Sequence, residues 1–128
     1  RENFHLYDFK NLFIKYSKRN ITSFLLDQNI ISGCGNYIKS ETLYYSSISP
    51  LRKCGDITEN EMELIYEGLR IISRISYNRN GLSLKDYRDP NNKKGYFGDN
   101  LKIYSKKYAK YTKTADGKIT YWDPNIQK

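Results

Sequence analysis

The sequence predicts a mainly α fold that ends in a small antiparallel β-hairpin. Three observations carry this. Apolar residues recur at helical spacing through much of residues 8–77. Glycine, asparagine and proline punctuation cuts that stretch into separate helices. The last third then changes to short β-prone runs around an Asp-Gly turn signal. At 128 residues the chain suits one domain, or a helical unit with a small appendage, and can bury a core.

Arg1–Tyr7 carries little regular signal. Phe9, Leu12, Phe13 and Tyr16 then fall at i, i+3, i+4 and i+7, with Asp8 as N-cap and Lys10, Lys15 and Lys18 on the opposite side. This predicts an amphipathic helix ending near Asn20. A second helix is expected over Ile21–Gln28, with Asn20 or Thr22 at its start and Phe24, Leu25 and Leu26 feeding the core. A third opens at Asn36, buries Ile38 and Leu43 with Tyr37 and Tyr44 as further candidates, and fades at Ser46-Ser47 before Pro50. Thr58-Glu59-Asn60-Glu61 reads as a capping box. Met62, Ile65, Leu69, Ile72 and Ile75 mark the buried face of the helix behind it, expected to run to about Tyr77. Arg70, Arg74 and Arg79 read as a solvated face.

From Asn80-Gly81 the pattern breaks into loop chemistry. Leu101–Tyr104 reads as a short strand. A hairpin follows, Tyr108–Lys113 up and Lys118–Trp122 down, with Asp116-Gly117 as a type I′ turn signal.

Lys and Arg total 22 against 14 Asp and Glu, a formal net charge of +8. The excess is uneven: residues 1–84 hold 11 basic and 9 acidic residues, residues 85–128 hold 11 and 5. A polyanion partner would therefore meet its strongest attraction in the C-terminal third. No apolar run approaches the ~18 residues of a membrane span, and nothing resembles a signal peptide, so no membrane partner is expected. Cys34 and Cys54 fit no metal spacing and read as reduced thiols of an intracellular protein, with a disulfide left open. His5, the only histidine, has no second ligand nearby and reads as a surface residue. Paired carboxylates, a Ser/His/Asp set and a phosphate-cradling nucleotide loop are all missing, so an autonomous hydrolase is unsupported. Gly33-x-Gly35 lacks the third glycine and preceding strand of a dinucleotide motif.

One stretch carries more than architecture. Gly33-Cys34-Gly35-Asn36 is a sharp corner between helices, and its glycines allow close backbone approach. An Asn36 cap would present N–H groups at a positive helix end, where phosphate binds. The plain alternative is an ordinary helix–turn–helix corner. Local chemistry leaves both open.

The wider spacing narrows the choice. Leu25-Leu26-Asp27-Gln28, then Gly33-Cys34-Gly35-Asn36, Glu41 and Pro50 resemble the helix-two-turns-helix segment of the formamidopyrimidine-DNA glycosylase/endonuclease VIII family of base-excision-repair enzymes. Gly81–Tyr87 through Gly95-Tyr96-Phe97 resembles the family linker, and Lys118–Gln127 its terminal finger motif R-x-T-x-x-C-P-x-C-Q. The likeness runs from near Asp8 to the C-terminus.

The resemblance implies a helical helix-two-turns-helix DNA-binding domain over residues 1–80, then a linker loop and β-hairpin finger over 81–128. It implies that the Asn36 side chain and the N–H groups of Gly35 and Tyr37 hold phosphates flanking a lesion, while Lys118 grips the same strand from the finger. Lys118 stands where the family has arginine, so the charge stays and the bidentate fork is lost. The finger cysteines fall at Tyr108, Tyr111, Asp123 and Ile126, which implies a zincless finger with no metal and no cofactor. Packing of Tyr108, Tyr111, Tyr121, Trp122 and Ile126 is then expected to hold it together. The family nucleophile is an N-terminal proline. Arg1-Glu2-Asn3 does not supply it, and Glu2 is not the family's catalytic glutamate.

The implied whole is therefore a bifunctional DNA glycosylase/AP lyase whose catalytic domain lies upstream of residue 1, with no catalytic residue in this chain. Its partners are double-stranded DNA bearing a damaged base or abasic site and that upstream domain. It acts wherever genomic DNA resides, in nucleus, nucleoid or viral replication site. The alternative is a non-catalytic nucleic-acid-binding module, since similar corners occur in ribosomal and topoisomerase settings; the finger motif argues against it. A protein-interaction domain with incidental basicity is the third reading.

Overall fold

The structure is a computed structural model that describes residues 6–72, 76–78, 81–83 and 101–128. Four α-helices come first: α1 (Leu6–Lys15), α2 (Ile21–Leu26), α3 (Asn36–Ser46) and α4 (Glu59–Ile72). Short strands β1 (Ile31–Ser32), β2 (Ser76–Asn78) and β3 (Gly81–Ser83) form a small sheet in the order β1-β3-β2, with β1 parallel and β2 antiparallel to β3. The chain closes with an antiparallel hairpin, β4 (Lys110–Lys113) and β5 (Ile119–Trp122). The mainly α class with a small C-terminal hairpin is as expected.

The helical core is aromatic. Phe9 and Phe13 of α1, one helical turn apart, meet edge to face at 5.1 Å, and Phe13 lies 4.7 Å from Phe24 of α2. Phe9 also meets Tyr66 of α4 at 5.3 Å, so one cluster ties three helices. Ile65 and Leu69 of α4 and Leu43 of α3 are fully buried beneath it. Gly68 permits the close α3–α4 packing: a Cβ there would lie 2.9 Å from the Tyr45 ring.

Helix starts follow local chemistry. Asn20 caps α2, its side chain accepting from Thr22 N at 2.7 Å. Thr58 and Glu61 form the reciprocal capping box of α4, at 2.9 and 3.2 Å. Arg52 clamps Glu61 with two guanidinium N–H groups at 2.8 and 2.9 Å. Hydrogen bonding from Arg52 is the main reason the Glu61 carboxyl falls to about 2.

Several expectations need correction. Asp8 sits in the first turn of α1, because helix already begins by Leu6. The second helix stops at Leu26, two residues early, since Asp27 turns extended and caps it. Helix α4 is described over Glu59–Ile72 and does not reach Tyr77, which belongs to β2, paired with Leu82. Leu101–Tyr104 is no strand. Its backbone N–H groups at Lys102, Ile103 and Tyr104 point to the buried Glu41 carboxylate, at 2.9–3.0 Å, instead of to a ladder. The expected linker loop opens as strand β3 at Gly81–Ser83; the rest of it, with Arg74, Arg79, Ile75 and His5, lies outside the described residues. Cys34 and Cys54 are free and buried. No helix among the described residues is long and apolar enough to cross a membrane.

Candidate nucleic-acid interface

The corner before α3 is built by the two side chains that follow α2, Asp27 and Gln28. Asp27 accepts from Asn29 N at 2.9 Å, while its carbonyl accepts from Ile30 N and Ile31 N. The Asn29 N–H, with Arg19 paired to the carboxylate, holds Asp27 below its ordinary pKa. Gln28 spans the second turn, accepting from Gly33 N at 2.7 Å and donating to Cys34 O at 3.3 Å. One acid and one amide thus satisfy the backbone of both turns.

The two corner glycines differ. Gly33 has φ +92°, a left-handed conformation that favours glycine. Gly35 has φ −89°, open to any residue, and a Cβ there would meet nothing within 4 Å. Nothing in the described chain requires glycine at 35. Burial pushes the Cys34 thiol between them up to about 12, so it stays protonated and inert.

The N-cap of α3 is Gly35, not Asn36 as expected, and no side chain caps the helix. Asn36 is the first helical residue. Its amide reaches sideways, Nδ2 donating to Ile119 O of β5 at 2.9 Å, while its Oδ1 is buried without a partner among the described residues. The amide has a second N–H to offer. Gly35 and Tyr37 flank it, both exposed.

Helix α3 continues to hold the hairpin along its length. Lys39 pairs with Asp116 of the hairpin turn at 2.6 Å, with side chains 0% and 3% exposed. Burial raises the Asp116 carboxyl, but the bonds from Lys39 and Thr114 outweigh it and leave it lowered. Ser40 Oγ accepts from Tyr121 N at 3.2 Å. In the β4–β5 register, with Thr114 N bonded to Lys118 O, the backbone groups of Ile119 and Tyr121 point away from β4. Asn36 and Ser40 therefore cover the free edge of β5. At the far end, Gln127 is buried, donating to Ile48 O and accepting from Asp123 N, both at 2.9 Å.

The hairpin turn is a three-residue loop, not the expected two-residue type I′. Gly117 N donates to Thr114 O, and Gly117 alone takes positive φ, +84°, where type I′ would require it of Asp116 too. Asp116 Oδ1 accepts from Thr114 Oγ1 at 2.6 Å and from Lys118 N at 3.3 Å. This fixes the Lys118 backbone and leaves its side chain exposed. The expected packing holds for Trp122, which is buried with Nε1 donating to Thr112 Oγ1 at 3.0 Å. It fails for Tyr108, Tyr111 and Ile126, which are exposed. The interior is instead Ile103, Ala109, Thr114, Thr120 and Trp122, with the Thr114 and Thr120 hydroxyls 2.8 Å apart.

Asn36 and Lys118 are thus brought together, with Asn36 bonded to the residue after Lys118, while Lys39 is neutralised in the interior. The α3 N-terminus has no side-chain cap among the described residues, the Asn36 amide has a second N–H, and the Lys118 side chain, one residue from the docked Ile119, is exposed. Comparison with known proteins decides the family. The sequence pattern described as the formamidopyrimidine-DNA glycosylase H2TH domain matches residues 1–86. The chain belongs to this family. A formamidopyrimidine-DNA glycosylase of Carboxydothermus hydrogenoformans is 32% identical over 123 residues, covering 90% of this chain and 47% of that protein. The crystal structure of the MutM (Fpg) protein of Thermus thermophilus superposes with a TM-score of 0.73 at 25% identity, over 99% of this chain and 51% of the other. That of a viral DNA glycosylase gives 0.73 at 28% identity, over 100% and 48%. The chain spans about half the length of each of these three relatives.

The family's finger metal finds no fit here. Tyr108 and Tyr111 offer phenols and Ile126 a hydrocarbon, and the Asp123 carboxylate already accepts from Asn125 N at 2.9 Å. Such a set does not build a tetrahedral zinc site. The sequence singles out Asn36, Gly35, Tyr37 and Lys118 as binding candidates, and Glu41 and Asp116 only as motif and turn residues; it gives no role to Lys39 and Ser40, and all four of these tie α3 to the finger.

Proposed function

We propose that this chain is the DNA-clamping part of a base-excision-repair DNA glycosylase. Residues 1–80 serve as the helical DNA-binding domain and 81–128 as linker loop and finger. The Gly35 and Tyr37 N–H groups and the Asn36 amide bind phosphate at the positive end of α3, and Lys118 binds the same strand from the finger. They hold the duplex while the damaged or abasic nucleotide is turned out toward the catalytic domain of the same protein. The base-excising and strand-cleaving chemistry, with its amine nucleophile, belongs to that domain, and the protein works inside the cell on genomic DNA.

The observation that carries this reading is the docking of Asn36 on Ile119, which sets the helix end beside Lys118. Contacts of this kind position a strand and do not read bases, so lesion choice resides elsewhere. The test is binding of Asn36→Ala and Lys118→Ala variants to a duplex carrying an abasic-site analogue. Both should bind more weakly, Lys118→Ala with the wild-type fold and Asn36→Ala with its bond to β5 also lost. Wild-type affinity in both would refute the clamp.

A further inference from the structure

The exposed face of the hairpin carries a feature that phosphate binding does not use. Tyr111 and Tyr121 are opposed across β4 and β5, with ring centroids 6.1 Å apart. Tyr121 continues to Tyr104 at 5.0 Å, and Tyr104 to Tyr37 at 5.9 Å. The interplanar angles are 50°, 67° and 71°, so no pair is stacked face to face. The outer two rings are 69% and 44% exposed at Tyr111 and Tyr37, too open to be explained as core. The strip begins beside Asn36, whose neighbour Tyr37 is, and ends on the strand that also exposes Lys113. Aromatic faces bordered by ammonium groups suit unpaired nucleotides: every base has a π-face to lay on a ring, and the phosphates need cations.

We infer that this tyrosine strip binds single-stranded DNA that leaves the duplex beside the Asn36–Lys118 clamp, its bases stacking on Tyr111, Tyr121, Tyr104 and Tyr37. Lys113, on the same face of the hairpin as Tyr111 and Tyr121, follows the backbone. The inference rests on the proposed clamp for its location, and it adds a second class of ligand, unpaired strand, to the duplex. Stacking is tolerant of base identity, so the strip favours DNA with an open or frayed segment without selecting a sequence.

The test compares three probes by fluorescence anisotropy: a blunt duplex with an abasic analogue, the same duplex with an oligothymidine tail on one strand, and the tail alone. Wild-type protein should bind the tailed duplex more tightly than the blunt one. Tyr111→Ala should lower affinity for the tailed duplex by roughly fivefold or more, the loss of one stacked base, and leave the blunt duplex unchanged. Tyr111→Phe should behave as wild type, because the ring supplies the contact. Tyr111 is exposed, so its removal leaves the fold intact, which a thermal melt verifies. A tail that adds no affinity, an equal loss on both duplexes, or a Phe variant as weak as Ala would overturn the inference. Lys118→Ala separates the two proposals. If it leaves blunt-duplex binding unchanged while the tail increment persists, the clamp fails and the strip stands.

Discussion

Lys39 and Asp116 form an ion pair 2.6 Å long with almost no exposure on either side, joining the third helix to the finger turn across 77 residues of chain. Removing one partner strands the other charge in the interior. Lys39→Met should therefore destabilise the protein by about 3–5 kcal/mol in chemical denaturation. The double variant Lys39→Met/Asp116→Leu should recover most of that loss, because a paired replacement leaves no buried charge. A double variant as unstable as the single one would contradict this account.

Glu41 is the second tie. Its carboxylate accepts from three consecutive N–H groups, at Lys102, Ile103 and Tyr104. Glu41→Gln keeps the shape but turns an amide donor toward those donors. A loss of about 2–3 kcal/mol is expected, with faster amide exchange at 102–104 than in α4. Exchange unchanged at those three amides would count against it.

Glu61 should make the helical part sensitive to acid. Its folded pKa of about 2 lies below the ordinary 4.5, chiefly through the Arg52 hydrogen bonds. Between these values the unfolded chain binds more protons, so stability rises with pH there. The contribution is complete above about pH 5 and fades as pH falls toward 2. Glu61→Gln should flatten that part of the stability profile. An identical acid limb in the variant would show that Glu61 does not set it.

Gly35 distinguishes a binding role from a structural one. A methyl group there meets nothing in the described chain, so Gly35→Ala should cost at most about 1 kcal/mol, as an N-cap effect. DNA affinity should fall by more than stability does, because the methyl group occupies the approach to the α3 N-terminus. Unchanged affinity would mean that no phosphate comes close.

What the sequence discloses follows the range of each interaction. The Thr58–Glu61 box and the Asn20 cap are complete within a few residues, and both are readable. Asn36 stands out as a site residue but reads as a cap, because its partner Ile119 is 83 positions away. The segment 101–104 has strand-like alternation, yet its hydrogen bonds go to a carboxylate 61 positions earlier. Exposed Tyr108 and Tyr111 look like finger interior for want of any local sign that Ile103 and Thr120 fill that place. The family motif supplies the pairing of corner and finger that no local rule contains.

Asn36→Ala is an ambiguous probe of the clamp, since it also breaks the bond to β5. Lys118 is cleaner: its side chain is exposed, and the turn uses only its backbone. The most direct measurement is the salt dependence of binding to an abasic-analogue duplex by wild type and Lys118→Ala. The slope of log affinity against log salt should become shallower by about one unit in the variant, because one DNA phosphate is left without its protein cation. An unchanged slope would mean that Lys118 does not touch the DNA backbone, and the clamp would have no second jaw.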